Sequence, residues 1–183
     1  MEVEALGLDG LKLIRTRRFG DQRGYFAETW NRRLFAAHGL DTDFVQDNVS
    51  LSRSPGTIRG LHYQTWPFAQ AKLIRVLRGA ILDVAVDLRR SSPTFGRHVS
   101  VVLSAEGGEQ LFIPVGFAHG LCTLEADTEV AYKVSDFYSP EHDAGIIWND
   151  PDLAIDWRLG GQQPTLSEKD ATLPRLASIE PPF

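Results

Sequence analysis

The side chains in this sequence best suited to chemistry are His62, in Arg59-Gly60-Leu61-His62-Tyr63-Gln64, and His119, which follows a proline-glycine turn in Pro114-Val115-Gly116-Phe117-Ala118-His119-Gly120. An imidazole titrates near neutrality and is also a common nitrogen ligand for transition metals, so the pair admits proton transfer or metal binding. A metal site needs three or four converging ligands. At the His-x-His spacing from His62 stands Gln64, a weak ligand, and no Asp or Glu follows before Asp83. A cysteine zinc site is excluded, because Cys122 is the single cysteine. This balance favours no bound metal and leaves His62 free for acid–base work.

Such residues need a rigid frame, and the hydrophobic periodicity is that of strands. Short runs of β-branched and aromatic residues bounded by Gly, Pro and Asp predict strands over 11–17, 24–30, 44–51, 57–64, 72–77, 81–88, 98–103, 110–113, 120–124 and 129–134. About ten short strands with frequent turns imply an all-β sandwich or barrel. Arg78-Gly79-Ala80 and Glu125-Ala126-Asp127 supply tight turns. A short helix is predicted over 31–38, capped by Asn31 and presenting Leu34 and Phe35 as its apolar face. Beyond Trp157 the chain is rich in Gly, Pro and Ser, which predicts an irregular tail with one helical turn over 167–171.

With 183 residues, 43% hydrophobic and 23% charged, the chain is sized for one well-buried domain over 1–183. No apolar run approaches the roughly 20 residues that span a bilayer, so no membrane partner is expected. The start Met1-Glu2-Val3-Glu4 lacks the regions of a signal peptide, and a lone cysteine forms no internal disulfide; both point to a reducing cytoplasm. A net charge of −5 argues against nucleic acid as a partner. The charge is uneven, however: residues 1–90 carry 14 basic against 10 acidic side chains, and the remainder 5 against 14. The first half holds the basic surplus from which a local anion site could be built.

Gly108-x5-Pro114-x-Gly116-x2-His119 has the spacing of the second motif of the cupins, small double-sheet jelly rolls. Further motifs sharpen the likeness: Asp21-x-Arg23-Gly24-x-Phe26-x-Glu28-x-Trp30, Gln46-Asp47-Asn48, Arg59-Gly60-Leu61-His62-Tyr63-Gln64, Gln70-x-Lys72, Ser92-Pro93-Thr94-Phe95-Gly96, Pro114-x-Gly116-Phe117-Ala118-His119-Gly120 and Ser167-Glu168-Lys169-Asp170. In order and spacing these resemble the dTDP-4-dehydrorhamnose 3,5-epimerase family, from about residue 10 to residue 170. The resemblance implies an all-β, cupin-like double-sheet jelly roll with a few short helices and an irregular C-terminal tail.

It also implies a reaction that inverts C3 and C5 of a 4-keto-6-deoxy sugar carried on a nucleotide diphosphate. Both protons lie α to the C4 ketone, so the substrate is its own electron sink and no cofactor is needed. Neither the Gly-x-Gly-x-x-Gly dinucleotide fingerprint nor a P-loop occurs. By resemblance His62 is the proton acceptor, oriented by Asp170, and Tyr132 the donor on the opposite face. Lys72, at the head of an apolar run, is placed to meet the enolate oxygen. Arg23, Arg59, Glu28, Gln46, Asn48, His119 and Lys169 match substrate-contacting positions, and Phe26 belongs to the same set. Tyr138 corresponds to an aromatic that stacks on thymine. Where the family places a glutamate beside that aromatic, this sequence has Asp143, with Glu141 nearby. Family members are homodimers whose N-terminal strands cross to the neighbouring subunit, which would carry Arg23, Phe26 and Glu28 into the partner's site.

Other readings remain open on the residues alone. Close relatives invert only C3 or C5, a metal-dependent cupin enzyme would use His62 and His119 as ligands, and a non-catalytic jelly roll would bind the sugar without turnover.

Overall fold

The computed structural model describes residues 1–183 and is nearly all β. Thirteen strands run in chain order: β1 (Glu2–Ala5), β2 (Lys12–Arg15), β3 (Arg18–Asp21), β4 (Gly24–Ala27), β5 (Gln46–Ser52), β6 (Ile58–Gln64), β7 (Lys72–Arg78), β8 (Ala80–Asp87), β9 (His98–Ser104), β10 (Glu109–Ile113), β11 (Phe117–Thr123), β12 (Thr128–Val134) and β13 (Asp143–Gly145). Ten match the predicted runs, and β1, β3 and β13 are additional. A six-stranded sheet ordered β1-β2-β10-β7-β12-β5 faces a five-stranded sheet ordered β13-β6-β11-β8-β9, and β3 with β4 forms a separate hairpin. This is the double-sheet jelly roll. Turns fall where expected: Gly79, at φ 77°, joins β7 to β8, and Asp127, at φ 50°, precedes β12.

Alternation along the strands sorts the side chains. Ile74, Val76, Leu111 and Val130 of the larger sheet meet Ile81, Ala85, Leu103, Phe117 and Leu121 of the smaller one in the central core. The outer face of the smaller sheet, with Leu82, Val84 and Val86, is covered by the C-terminal tail through Leu153, Trp157, Leu166 and Leu176. The tail is irregular apart from a 3₁₀ turn over Leu176–Ser178, yet it forms a third apolar layer.

The predicted helix is shorter, α1 (Arg32–Ala36), with Asn31 Oδ1 accepting from Leu34 N as the cap. Phe35 is fully buried against Ile14, Leu40, Leu73 and Phe112 on the outside of the larger sheet. Strand β4 ends at Ala27 rather than residue 30, because Trp30 turns in to stack edge-on against Phe35 and Phe44. No helix is long and apolar enough to cross a membrane.

Candidate active site

At one end of the sandwich the inward-facing positions change from apolar to polar. Lys72 is two residues from Ile74 on β7, Tyr132 two from Val130 on β12, and Asp83 lies between Ile81 and Ala85 on β8. On β5 the inward residues are Gln46, Asn48 and Ser50, and Asn48 pairs with Tyr132. On β6, Arg59 pairs with Leu121 while His62 pairs with His119, so the register slips by one residue between them. Arg59 and His62, an odd number of residues apart, consequently both face the interior. Gly60 permits this. A Cβ there would lie 2.5 Å from Gly120 Cα, and its φ is +129°.

These side chains line a cleft with two chambers. One, of about 430 Å³, is bounded by Arg59, His62, Lys72, His119, Tyr132, Lys169 and Asp170, with Ser50, Thr57, Thr165 and Ser167. The other, of about 390 Å³, is bounded by Gln46, Asn48, His62, Lys72, Tyr132, Tyr138, Asp143 and Lys169. His62, Lys72, Tyr132 and Lys169 border both.

His62 Nε2 lies 2.5 Å from Asp170 Oδ1. Asp170 is delivered by the expected turn of the tail, in which its N–H donates to Ser167 Oγ and the Ala171 N–H to the Ser167 carbonyl. Burial pushes the Asp170 carboxyl upward, but bonds from His62, Ser167 and the Gly60 N–H outweigh it and hold the group below the usual carboxylate range. An ionised Asp170 requires the His62 Nε2 to carry hydrogen, which leaves Nδ1 as the basic nitrogen. The His62 side chain is 31% exposed and that of Asp170 5%, so the base is reachable while its partner is sealed.

Lys72 Nζ donates to the His62 carbonyl at 3.4 Å. Burial pulls its ammonium down to about 8, against the opposing charges of Asp143 and Asp83. Burial raises the Tyr132 phenol, partly offset by the Arg59 charge. Arg59 is itself held by Ser52 Oγ and the Leu51 carbonyl.

His119, expected to contact substrate, lines the wall of the first chamber. It is 9% exposed, and its Nε2 sits 2.5 Å from Asp83 Oδ1. Burial lowers its pKa, opposed by Asp83. Asp83 is wholly buried, and its Oδ2 has no hydrogen-bond partner. This carboxylate escaped the sequence reading. Its signal was an Asp in the middle of a strand that is otherwise apolar up to its terminal Asp87. No group of three or more His, Cys, Asp and Glu side chains converges as metal ligands would.

Asp143, not Glu141, occupies the position beside the aromatic: Tyr138 Oη donates to Asp143 Oδ2 at 3.0 Å, and Lys169 Nζ meets the same oxygen at 2.5 Å. Gln46 Nε2 donates to Asn48 Oδ1, and Gln46 Oε1 accepts from Tyr138 N. The expected residues Arg23, Phe26 and Glu28 are not brought to this cleft. They lie exposed on or just after the β3–β4 hairpin, where Arg23 pairs only with Asp21.

A jelly roll with a carboxylate-backed imidazole, a half-buried ammonium and a half-buried phenol around one cleft defines a cupin-like acid–base isomerase. Residues 5–178 match the family described as dTDP-4-dehydrorhamnose 3,5-epimerase, and the chain belongs to that family. It is 50% identical over 183 residues to the dTDP-4-dehydrorhamnose 3,5-epimerase of Sinorhizobium fredii, covering 100% of this chain and 93% of the relative. The Bacillus anthracis enzyme of that name, solved with TDP and PPi bound, superposes with TM-score 0.93 at 50% identity, covering 96% of this chain and 99% of that one. The Legionella pneumophila dTDP-6-deoxy-D-glucose-3,5-epimerase, in complex with dTDP-4-keto-L-rhamnose, gives TM-score 0.93 at 46% identity, covering 98% and 94%.

Proposed function

We propose that the protein is a cofactor-independent epimerase converting dTDP-4-dehydro-6-deoxy-D-glucose into dTDP-4-dehydro-L-rhamnose. The observation that carries this reading is the carboxylate-backed His62 sharing one cleft with Lys72 and Tyr132. His62 Nδ1 takes a proton α to the C4 ketone, and the C–H electron pair becomes the C=C bond of an enolate whose charge rests on the C4 oxygen. The Lys72 ammonium faces that oxygen, a contact that stabilises the transition state by about 3 kcal/mol. The Tyr132 hydroxyl delivers a proton to the opposite face, completing one inversion. His62 then loses its proton to solvent and the Tyr132 phenolate regains one, and the cycle repeats at the second carbon. Asp170 fixes the His62 tautomer and stabilises the imidazolium.

Arg59 and Lys169 are assigned to the diphosphate, Gln46, Asn48 and Tyr138 to the nucleoside, and His119 to the sugar, with Asp143 aligning Tyr138 and Lys169. Arg23, Phe26 and Glu28 serve the partner's site in a homodimer. Their exposure on the hairpin supports this, as do Val49, Leu51 and Leu77, exposed apolar side chains on the outer face of the six-stranded sheet. Residues 1–183 act as one epimerase unit in the cytoplasm. NMR of the product tests the reaction: inversion at both C3 and C5 is expected, and inversion at one carbon alone assigns a mono-epimerase instead. Activity is expected to survive chelator treatment, whereas its loss and recovery on adding metal would assign a metal-dependent cupin enzyme.

A further inference from the structure

Gln64 occupies the place where a metal-binding cupin would carry its second histidine, and its side chain is committed elsewhere. It is 4% exposed. Its Nε2 donates to the Phe68 carbonyl at 2.7 Å and the Phe137 carbonyl at 3.1 Å, while its Oε1 accepts from Ser139 N at 2.8 Å. Only a primary amide offers two donors and an acceptor from one planar group. Histidine has one fewer donor, and an ionised glutamate has none.

The segment so held joins β12 to β13 and has little apolar anchorage, Phe137 being 61% and Tyr138 57% exposed. Amide side chains supply what packing does not. Gln70 Nε2 donates to the Asp136 carbonyl at 2.8 Å, and Gln46 Oε1 accepts from Tyr138 N at 3.1 Å. Three glutamines thus grip the main chain of four consecutive residues, Asp136 to Ser139. Gln64 holds both neighbours of Tyr138.

We propose that Gln64 is a positioning residue for the nucleobase, locking the main chain on either side of Tyr138 so that the ring is preset to stack on the incoming base. The inference rests on the reading of Tyr138 as the base-stacking residue. A ring already ordered in the free protein loses less conformational freedom on binding, so the clamp acts on affinity and not on proton transfer. It also accounts for the amide at this position, since the histidine of a metal-binding cupin would release at least one strand of the clamp.

The test is Gln64→Glu in the full chain, which sets carboxylate oxygens against the Phe68 and Phe137 carbonyls. Amide hydrogen exchange in the ligand-free protein is expected to accelerate at residues 136–139 and to stay unchanged around Asp170. The dissociation constant for dTDP and KM are expected to rise about 10-fold with kcat within about 3-fold. Adding Tyr138→Ala is expected to bring little further loss, because both changes remove one stack. If Gln64→Glu fails to fold, Gln70→Ala removes the Asp136 bond alone and is expected to shift exchange and affinity in the same direction by less. Unchanged exchange in the segment, unchanged dTDP affinity, or full additivity with Tyr138→Ala overturns the role of Gln64. Tyr138→Ala with unaltered dTDP affinity removes the stacking reading itself, a result distinguishable because the exchange data still report the clamp.

Discussion

His62 and His119 stand directly opposite one another on β6 and β11, yet each turns its Nε2 to a carboxylate of its own, Asp170 for His62 and Asp83 for His119. Two neighbouring imidazoles are thereby placed in different circumstances. His62 keeps a free Nδ1 at a reachable surface. His119 is buried against a carboxylate whose second oxygen is unpaired, and in the proposed reaction it contacts the sugar without taking a proton.

Removing the base is the first expectation. His62→Asn should lower kcat by about 10²–10⁴-fold, the usual contribution of a positioned general base. Asp170→Asn should retain the His62 side chain but lose the tautomer control, slowing turnover in the same direction. Steady-state kinetics with circular dichroism to verify folding checks both, and a near-normal rate in His62→Asn removes it from its role.

Tyr132→Phe separates two events that are joined in the unmutated protein. Deprotonation precedes protonation on the other face, so this variant should still exchange the α-proton with solvent while inverting slowly. Proton NMR in D2O measures exchange and inversion together. Equal loss of both would assign Tyr132 a different task.

The Lys72 ammonium titrates near 8 in the folded protein. As pH rises through that value the enolate oxygen loses its counter-charge, so kcat/KM should fall about tenfold per pH unit on the alkaline side. Bound diphosphate adds negative charge nearby and should move the corresponding limb of kcat upward. Lys72→Arg should abolish the limb. Asp83→Asn should shift it to lower pH, because the Asp83 charge raises the Lys72 pKa. For stability, the unfolded lysine holds its proton to about 10.4, so the Lys72 contribution rises with pH between about 8 and 10.4. A pH–rate series on the two variants tests the assignment, and an unmoved limb in Asp83→Asn contradicts it.

Strand exchange predicts complementation between inactive chains. In a mixed dimer of Arg23→Ala and His62→Ala, the Arg23→Ala subunit keeps its own His62 and receives an intact Arg23 from its partner. Unfolding and refolding an equal mixture should therefore restore about one quarter of the sites. No recovery, with dimers verified by sedimentation, would place Arg23 in its own subunit's site or outside any site.

Much of this arrangement was legible in the residues. Apolar alternation marked the strands, and Asn31, Gly79 and Asp127 marked a cap and two turns. The one-residue slip beside Gly60 was not legible, although it is what lets Arg59 and His62 share a face, because register depends on the partner strand as well as the sequence. Asp83 was given no role, because only the pairing of its strand within the sandwich shows that strand to be buried on both sides. The tail beyond Trp157 read as irregular, which it is, but its Leu166 and Leu176, with Leu153 and Trp157 just before it, lacked any period by which to foresee a third layer. Arg23, Phe26 and Glu28 were named from a family pattern, and none of the three lines the cleft that holds His62 within its own chain.

Proton removal at both α-carbons by His62 is read out by the incorporation of solvent deuterium. With dTDP-4-dehydro-6-deoxy-D-glucose in D2O, the folded protein should place deuterium at C3 and C5 and invert both centres, while His62→Asn should place deuterium at neither. Absence of deuterium at both carbons with the folded, unmutated protein, or undiminished incorporation by His62→Asn, would rule out His62 as the base that removes these protons.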